Sequence, residues 1–162
     1  MRLSSMADYA VVAMTAAARH CGVDAGAQTP RRAQMNAALL AETSGLPAPT
    51  VQKLVSRLVA AGLLSTTRGA GGGLKLARAA DDISLAQIIE AVEGPIALTS
   101  CVDKGRADCS LEQGCAVRPH WPIVNDALRG ALAGVPLSRL AGLHEAKTMV
   151  DAGHPANMEL SQ

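Results

Sequence analysis

Three of the four cysteines of this 162-residue chain fall within one short polar stretch, Cys101-Val-Asp-Lys-Gly-Arg-Ala-Asp-Cys109-Ser-Leu-Glu-Gln-Gly-Cys115. A stretch this polar is not core, so the thiols stand on a loop where they can meet a metal, an inorganic cluster or one another. Thiolates are preferred ligands of both zinc and iron–sulfur clusters. The spacing C-x7-C-x5-C is longer than the C-x2-C knuckle of most structural zinc sites and differs from both ferredoxin patterns. Loops of seven and five residues suit a bulky cluster better than a single ion, because the ligands must span several metal-to-metal distances. On the residues alone three chemistries stay open: an iron–sulfur cluster, a zinc ion or a redox disulfide. Each wants an even or fourfold ligand set, so three cysteines leave one position to another group. Asp8, His120 and solvent or a small thiol are the candidates. Asp8 lies in an otherwise apolar stretch, where a carboxylate is costly unless paired, although a first-turn acid also favours a helix dipole. His120 serves equally well as the cap of a helix opening at Pro119–Trp121. Cys21, at the end of the first helix, reads as a small apolar core residue.

A second group of residues points to a polyanion. The net charge is only +1, yet no acidic residue lies between Glu42 and Asp81, where Lys53, Arg57, Arg68, Lys75 and Arg78 all fall. Residues 81–162 carry eleven acids against six Lys and Arg. A local basic field of this kind can hold nucleic acid in a near-neutral protein.

The elements that must position these groups follow from periodicity and breakers. There is no Phe, one Trp and one Tyr, so the core is built from Ala, Leu and Val, which favours packed helices over a β-sandwich. Met6, Tyr9, Ala10, Ala13 and Ala17 predict an amphipathic helix over 4–19, and a second helix covers 33–44 and stops at Gly45. From Val51 the apolar positions 51, 54, 55, 58 and 59 predict a third helix, entered through Pro47 and Pro49 and ended by Gly62. Its other face offers Thr50, Gln52, Lys53, Ser56 and Arg57. The pair forms a helix-turn-helix, whose second helix can enter a major groove. Leu-Leu-Ser-Thr-Thr-Arg68 and Leu74-Lys-Leu-Ala-Arg flank a glycine-rich turn containing Gly71, which predicts a β-hairpin wing. Ser84 and Gln87 form a capping box ahead of a helix that ends at Gly94-Pro95. A helix of about 121–134 follows the cysteine loop, too far from the winged core to be covered by it, so a partner helix is its expected cover. The predicted architecture is mainly α with a small β wing: a winged helix-turn-helix domain over 1–95, a cysteine loop over 96–118, a long C-terminal dimerisation helix region over 119–145 and a flexible tail over 146–162. No apolar run is long enough to span a membrane, and Asp8 and Tyr9 spoil the start as a signal peptide. The expected location is cytoplasmic, where clustered cysteines are more often metal-binding or redox-active than structural disulfides. No nucleophile–base motif or phosphate-binding loop is present, so an enzyme is not expected.

In order along the chain, MRLSSMADYAV, LPAPTVQKLVSRLVAAGLL, RGAGGGLKLAR and ISLAQIIEAVEG followed by a three-cysteine loop resemble the iron–sulfur-sensing winged-helix regulators of bacteria, the IscR-, SufR-, NsrR- and RirA-like proteins. The resemblance implies a homodimer on a palindromic operator in double-stranded DNA, with a [2Fe-2S] or [4Fe-4S] cluster in each subunit held by Cys101, Cys109 and Cys115. It implies base reading by Gln52 and Lys53 and a minor-groove or phosphate contact by Arg68. In IscR-like relatives a histidine three residues after the last cysteine completes the cluster, but here that position is Arg118, with His120 two residues later. In NsrR-like relatives an aspartate of the partner's first helix does so, and Asp8 stands at that place. The alternative reading is a winged-helix regulator with a zinc site or a cysteine thiol switch.

Arg68→Ala is expected to weaken DNA binding broadly and to reduce the slope of log affinity against log salt by about 1 for each phosphate that the arginine neutralises. Gln52→Ala should instead relax preference at particular base pairs. Gel-shift titrations across salt concentrations and site variants separate the two, and unchanged binding in both variants would rule out this docking.

Overall fold

The computed structural model of the chain describes residues 2–22, 35–67, 73–102, 109 and 114–143. The expected tail over 146–162 lies outside them. The first helix, α1 (Ser5–Gly22), lays Ala7, Ala10, Ala13, Met14, Ala17 and Ala18 into the core. The alanines along that stripe let other helices approach closely, and α1 accordingly packs against four later helices and the wing. The helix-turn-helix follows as α2 (Ala37–Ser44) and α3 (Ala48–Ala60). Asn36 caps α2, its Oδ1 accepting from the Leu39 N–H at 2.9 Å. Gly45 makes the turn between them at φ +69°, a left-handed conformation in which a side chain would be strained. α3 buries Val51, Leu54 and Leu58. It closes with a Schellman pattern in which Gly62 N–H bonds the Val59 carbonyl at 3.0 Å and Leu63 N–H bonds that of Leu58 at 2.9 Å.

The wing is a two-stranded antiparallel hairpin of β1 (Leu64–Thr66) and β2 (Leu74–Leu76), with Leu64 opposite Leu76. Leu74 N–H also bonds the Met35 carbonyl at 2.6 Å, which fixes the strand to the entry of α2. After a single 3-10 turn at Ala80–Asp82, the predicted capping box is formed: Ser84 Oγ accepts from Gln87 N–H and Gln87 Oε1 from Ser84 N–H. It opens α4 (Leu85–Glu93), whose Ala86, Ile88, Ile89 and Val92 are buried. Among the described residues two more α-helices come after the cysteine stretch, α5 (Trp121–Ala133) and the one-turn α6 (Leu137–Leu140).

The helix after the loop falls where it was expected, with α5 running 13 residues to Gly134. One expectation for it is corrected: it does not stand away from the winged core. Leu132 packs on the core, Asn125 is 6% exposed, and Arg129 pairs with Glu90 of α4 through Nε at 2.7 Å and Nη2 at 3.0 Å. The opposite face, with Ile123 at 71% and Val124 at 47% exposure, is open. The chain then returns to the winged body. Leu85 N–H bonds the Val135 carbonyl at 2.9 Å, and Leu137 N–H that of Ile83 at 2.7 Å. Leu137 is fully buried, and Arg19 Nε donates to the Ala141 carbonyl at 3.1 Å. Among the described residues no helix is long and apolar enough to cross a membrane.

Hydrogen bonding to the Arg129 guanidinium, aided by its charge, holds the Glu90 carboxyl below its ordinary value of 4.5, against the opposing effect of burial. A lowered folded value means that the pair stabilises fully above pH 4.5 and that this contribution is lost as pH falls through the folded value. Glu90→Gln should therefore lower the melting temperature at pH 7, and the gap from wild type should close progressively below pH 4.5. Thermal denaturation followed by circular dichroism across that range checks it; a gap that stays constant with pH would refute the assignment.

Candidate metal centre and nucleic-acid interface

α4 ends at Gly94, and the next residue is Pro95, which has no N–H to continue the helix. Segment 96–98 then runs under α5, where one side chain grips it from both sides. Asn125 Oδ1 accepts from the Leu98 N–H at 3.0 Å, and its Nδ2 donates to the Ile96 carbonyl at 2.9 Å. Both groups of a buried amide are thereby satisfied, as burial of a polar side chain requires. Three residues on lies Cys101, whose Sγ is 3.1 Å from Thr99 Oγ1, either atom being able to donate. Val102 N–H closes a turn onto the Thr99 carbonyl at 3.1 Å. Cys101, Cys109 and Cys115 are all half-buried free thiols. Cys115 accepts through its carbonyl from Arg118 N–H at 3.2 Å, which leads into the 3-10 turn Arg118–His120 and then α5.

The three thiols are therefore carried by one connection between α4 and α5. Among the described residues no three of His, Cys, Asp and Glu come together as a metal-binding group. Asp8 is exposed on the first turn of α1, away from the buried alanine stripe. His120 is exposed at the N-cap of α5 and makes no side-chain capping bond. The donor types still fit a thiolate-held cluster: three free thiols on a connection whose first arm is fixed by Asn125 and whose last is fixed by a helical turn. Sequence reasoning missed Asn125 and Thr99. A lone amide four residues ahead of Arg129 on α5 was the signal available for Asn125; Thr99 carried none.

Gln52, Lys53 and Ser56 are exposed on α3 and Thr50 is half-buried. Ser56 Oγ is turned back onto the Gln52 carbonyl at 3.0 Å. Arg57, expected among the DNA contacts, sends Nη1 to the Val92 carbonyl of α4 at 2.6 Å. Arg68 and Gly71 lie outside the described residues. Lys75 is exposed on β2 of the wing.

A helix-turn-helix with a polar outer face on its second helix, followed directly by a hairpin, is the winged-helix arrangement of DNA-binding proteins. The chain belongs to the Rrf2 family of transcriptional regulators: the family model, described as an iron-dependent transcriptional regulator, matches residues 3–142. It is 32% identical over 140 residues to the HTH-type transcriptional regulator IscR of Photobacterium profundum, across 86% of this chain and 75% of that protein. Among solved structures it is similar to T. potens IscR, with a TM-score of 0.57 and 27% identity over 99% of this chain and 94% of that one. It is likewise similar to the oxidized form of Staphylococcus aureus CymR, with a TM-score of 0.58 and 26% identity over 87% of this chain and 96% of that one.

Proposed function

We propose that this protein is a homodimeric transcriptional regulator that binds a palindromic operator and senses iron, cluster status or redox and nitrosative stress through an iron–sulfur cluster. The observation that carries this reading is the set of three half-buried free thiols on the connection between α4 and α5 of an Rrf2-family chain. Cys101, Cys109 and Cys115 would hold a [2Fe-2S] or [4Fe-4S] cluster, with Asp8 of a second subunit as fourth ligand ahead of His120. The exposure of Asp8 on α1 supports a role toward another chain. When bound, such a cluster supplies a redox- and ligand-responsive group, and a carboxylate among its ligands makes it labile. The exposed Ile123 and Val124 of α5 offer the apolar face that the two-fold partner would cover. Gln52, Lys53 and Ser56 face the major groove in this reading, with Arg68 at the wing.

A second reading has one observation in its favour: CymR, a structural neighbour, has been solved in an oxidized form. A thiol switch without metal uses the same cysteines pairwise.

Anaerobic purification separates the readings. A brown protein with iron and sulfide in about equal amounts supports the cluster; a colourless protein, metal-free or carrying zinc, rejects it. Gel shifts of the loaded and stripped protein on a duplex selected by the wild type from random DNA should then differ in affinity. Asp8→Ala should destabilise the cluster or shift its visible spectrum more than His120→Ala does, and the reverse order would reassign the fourth ligand.

A further inference from the structure

The last turn of α4 is where side chains from α3, α5 and the cap of α1 meet. Like every helix end, it leaves carbonyls without intrahelical partners. Gly94 N–H reaches back to Glu90 at 3.1 Å, but Pro95 has no N–H to offer Ala91. The Val92 carbonyl is taken by Arg57 from the recognition helix at 2.6 Å, a cation placed at the negative end of the α4 dipole. One residue on, Glu93 accepts from Ser4 Oγ, the same hydroxyl that receives the Ala7 N–H and so caps α1. Glu90, one turn earlier, holds Arg129 of α5. From this end the chain passes directly into segment 96–98, which Asn125 clamps, and then to Cys101.

We propose that Arg57 is a positioning residue rather than a DNA contact: it fastens the recognition helix to the end of α4, so that a change in the cysteine connection is transmitted through segment 96–98 and α4 to the pose of Gln52 and Lys53. Asn125 is the second fixed point of the same path. The inference rests on the proposed sensing role of the cysteine loop. Its physical basis is that a hydrogen bond from a charged side chain to an exposed helix carbonyl is worth more than a neutral one, and α3 makes it at the one place where α4 hands over to the loop. Two states of the loop shift DNA affinity only if they differ in how they hold α3.

The test uses Arg57→Met, which keeps the apolar stem and removes the donor, and Arg57→Lys, which restores a donor of similar reach. Affinity for the selected duplex is measured by gel shift for the loaded and stripped protein across a salt series. Arg57→Met should bring the loaded-to-stripped affinity ratio to about one while leaving the salt slope at the wild-type value, and Arg57→Lys should return the ratio toward wild type. An arginine bound to phosphate behaves differently: removing it from both subunits would flatten the slope by about 1.8, and that result overturns the proposal. Asn125→Ala, on α5 rather than on the helix-turn-helix or the wing, should also erase the ratio without altering the slope, and it decides the matter if Arg57→Met does not fold. Retention of the wild-type ratio in Asn125→Ala together with any folded Arg57→Met also overturns the proposal. A wild type whose loaded and stripped forms bind alike refutes the sensing role itself, and thus is told apart from failure of the Arg57 link alone.

Discussion

The end of one nine-residue helix constrains the rest of this molecule. A helix terminus exposes carbonyls that must find donors, and α4 finishes against Gly94 and Pro95, which supply just one between them. The remaining acceptors recruit side chains from distant parts of the chain. Arg57 comes from α3, while the adjoining carboxylates draw Ser4 from the start of α1 and Arg129 from α5. The recognition helix, the N-terminal helix and the helix beyond the cysteines are thus referenced to one point. What surrounds that point is mostly aliphatic and small, and the alanine stripe of α1 allows the close approach on which these polar contacts depend.

This arrangement assigns different tasks to residues that look alike. Lys53 and Arg57 are both exposed cations on α3, yet Arg57 also donates through Nη1 to a helix carbonyl. Asn125 and Ser138 are both polar residues buried in the C-terminal helices. Asn125 satisfies the backbone leading to Cys101, whereas Ser138 donates to Asp81 in the turn before α4 and ties α6 to the wing side of the body. Charge and polarity alone do not reveal which groups are available to a ligand; the neighbouring backbone does.

Much of the fold was legible because it is local. The 3.6-residue spacing of Val51, Leu54, Val55 and Leu58, the Gly62 stop, the Ser84–Gln87 capping box and the glycine-flanked wing each follow from residues close together in the chain, and the structure has the corresponding elements. What was not legible is non-local. The pairing of 83–85 with 135–137 joins segments far apart in the sequence, and α6 is too short for any periodicity to announce it. The covering of α5 was misjudged for the same reason: Leu132 and Arg129 find their partners only after the loop has folded back. Of the candidate site, the cysteines and the outer face of α3 were visible by residue type, but Asn125, Thr99 and the diversion of Arg57 depend on partners that no spacing rule connects.

The bond from Arg19 to the Ala141 carbonyl spans 122 residues, and Leu137 lies fully buried against the body that the preceding helices build. During synthesis that body waits, with part of its core uncovered, until the segment beyond the cysteines has emerged. Contacts this distant in sequence are formed late and slow the search for the native state. The cysteine stretch is therefore already outside the ribosome, and able to meet whatever it binds, before the winged part of the same chain has closed its core.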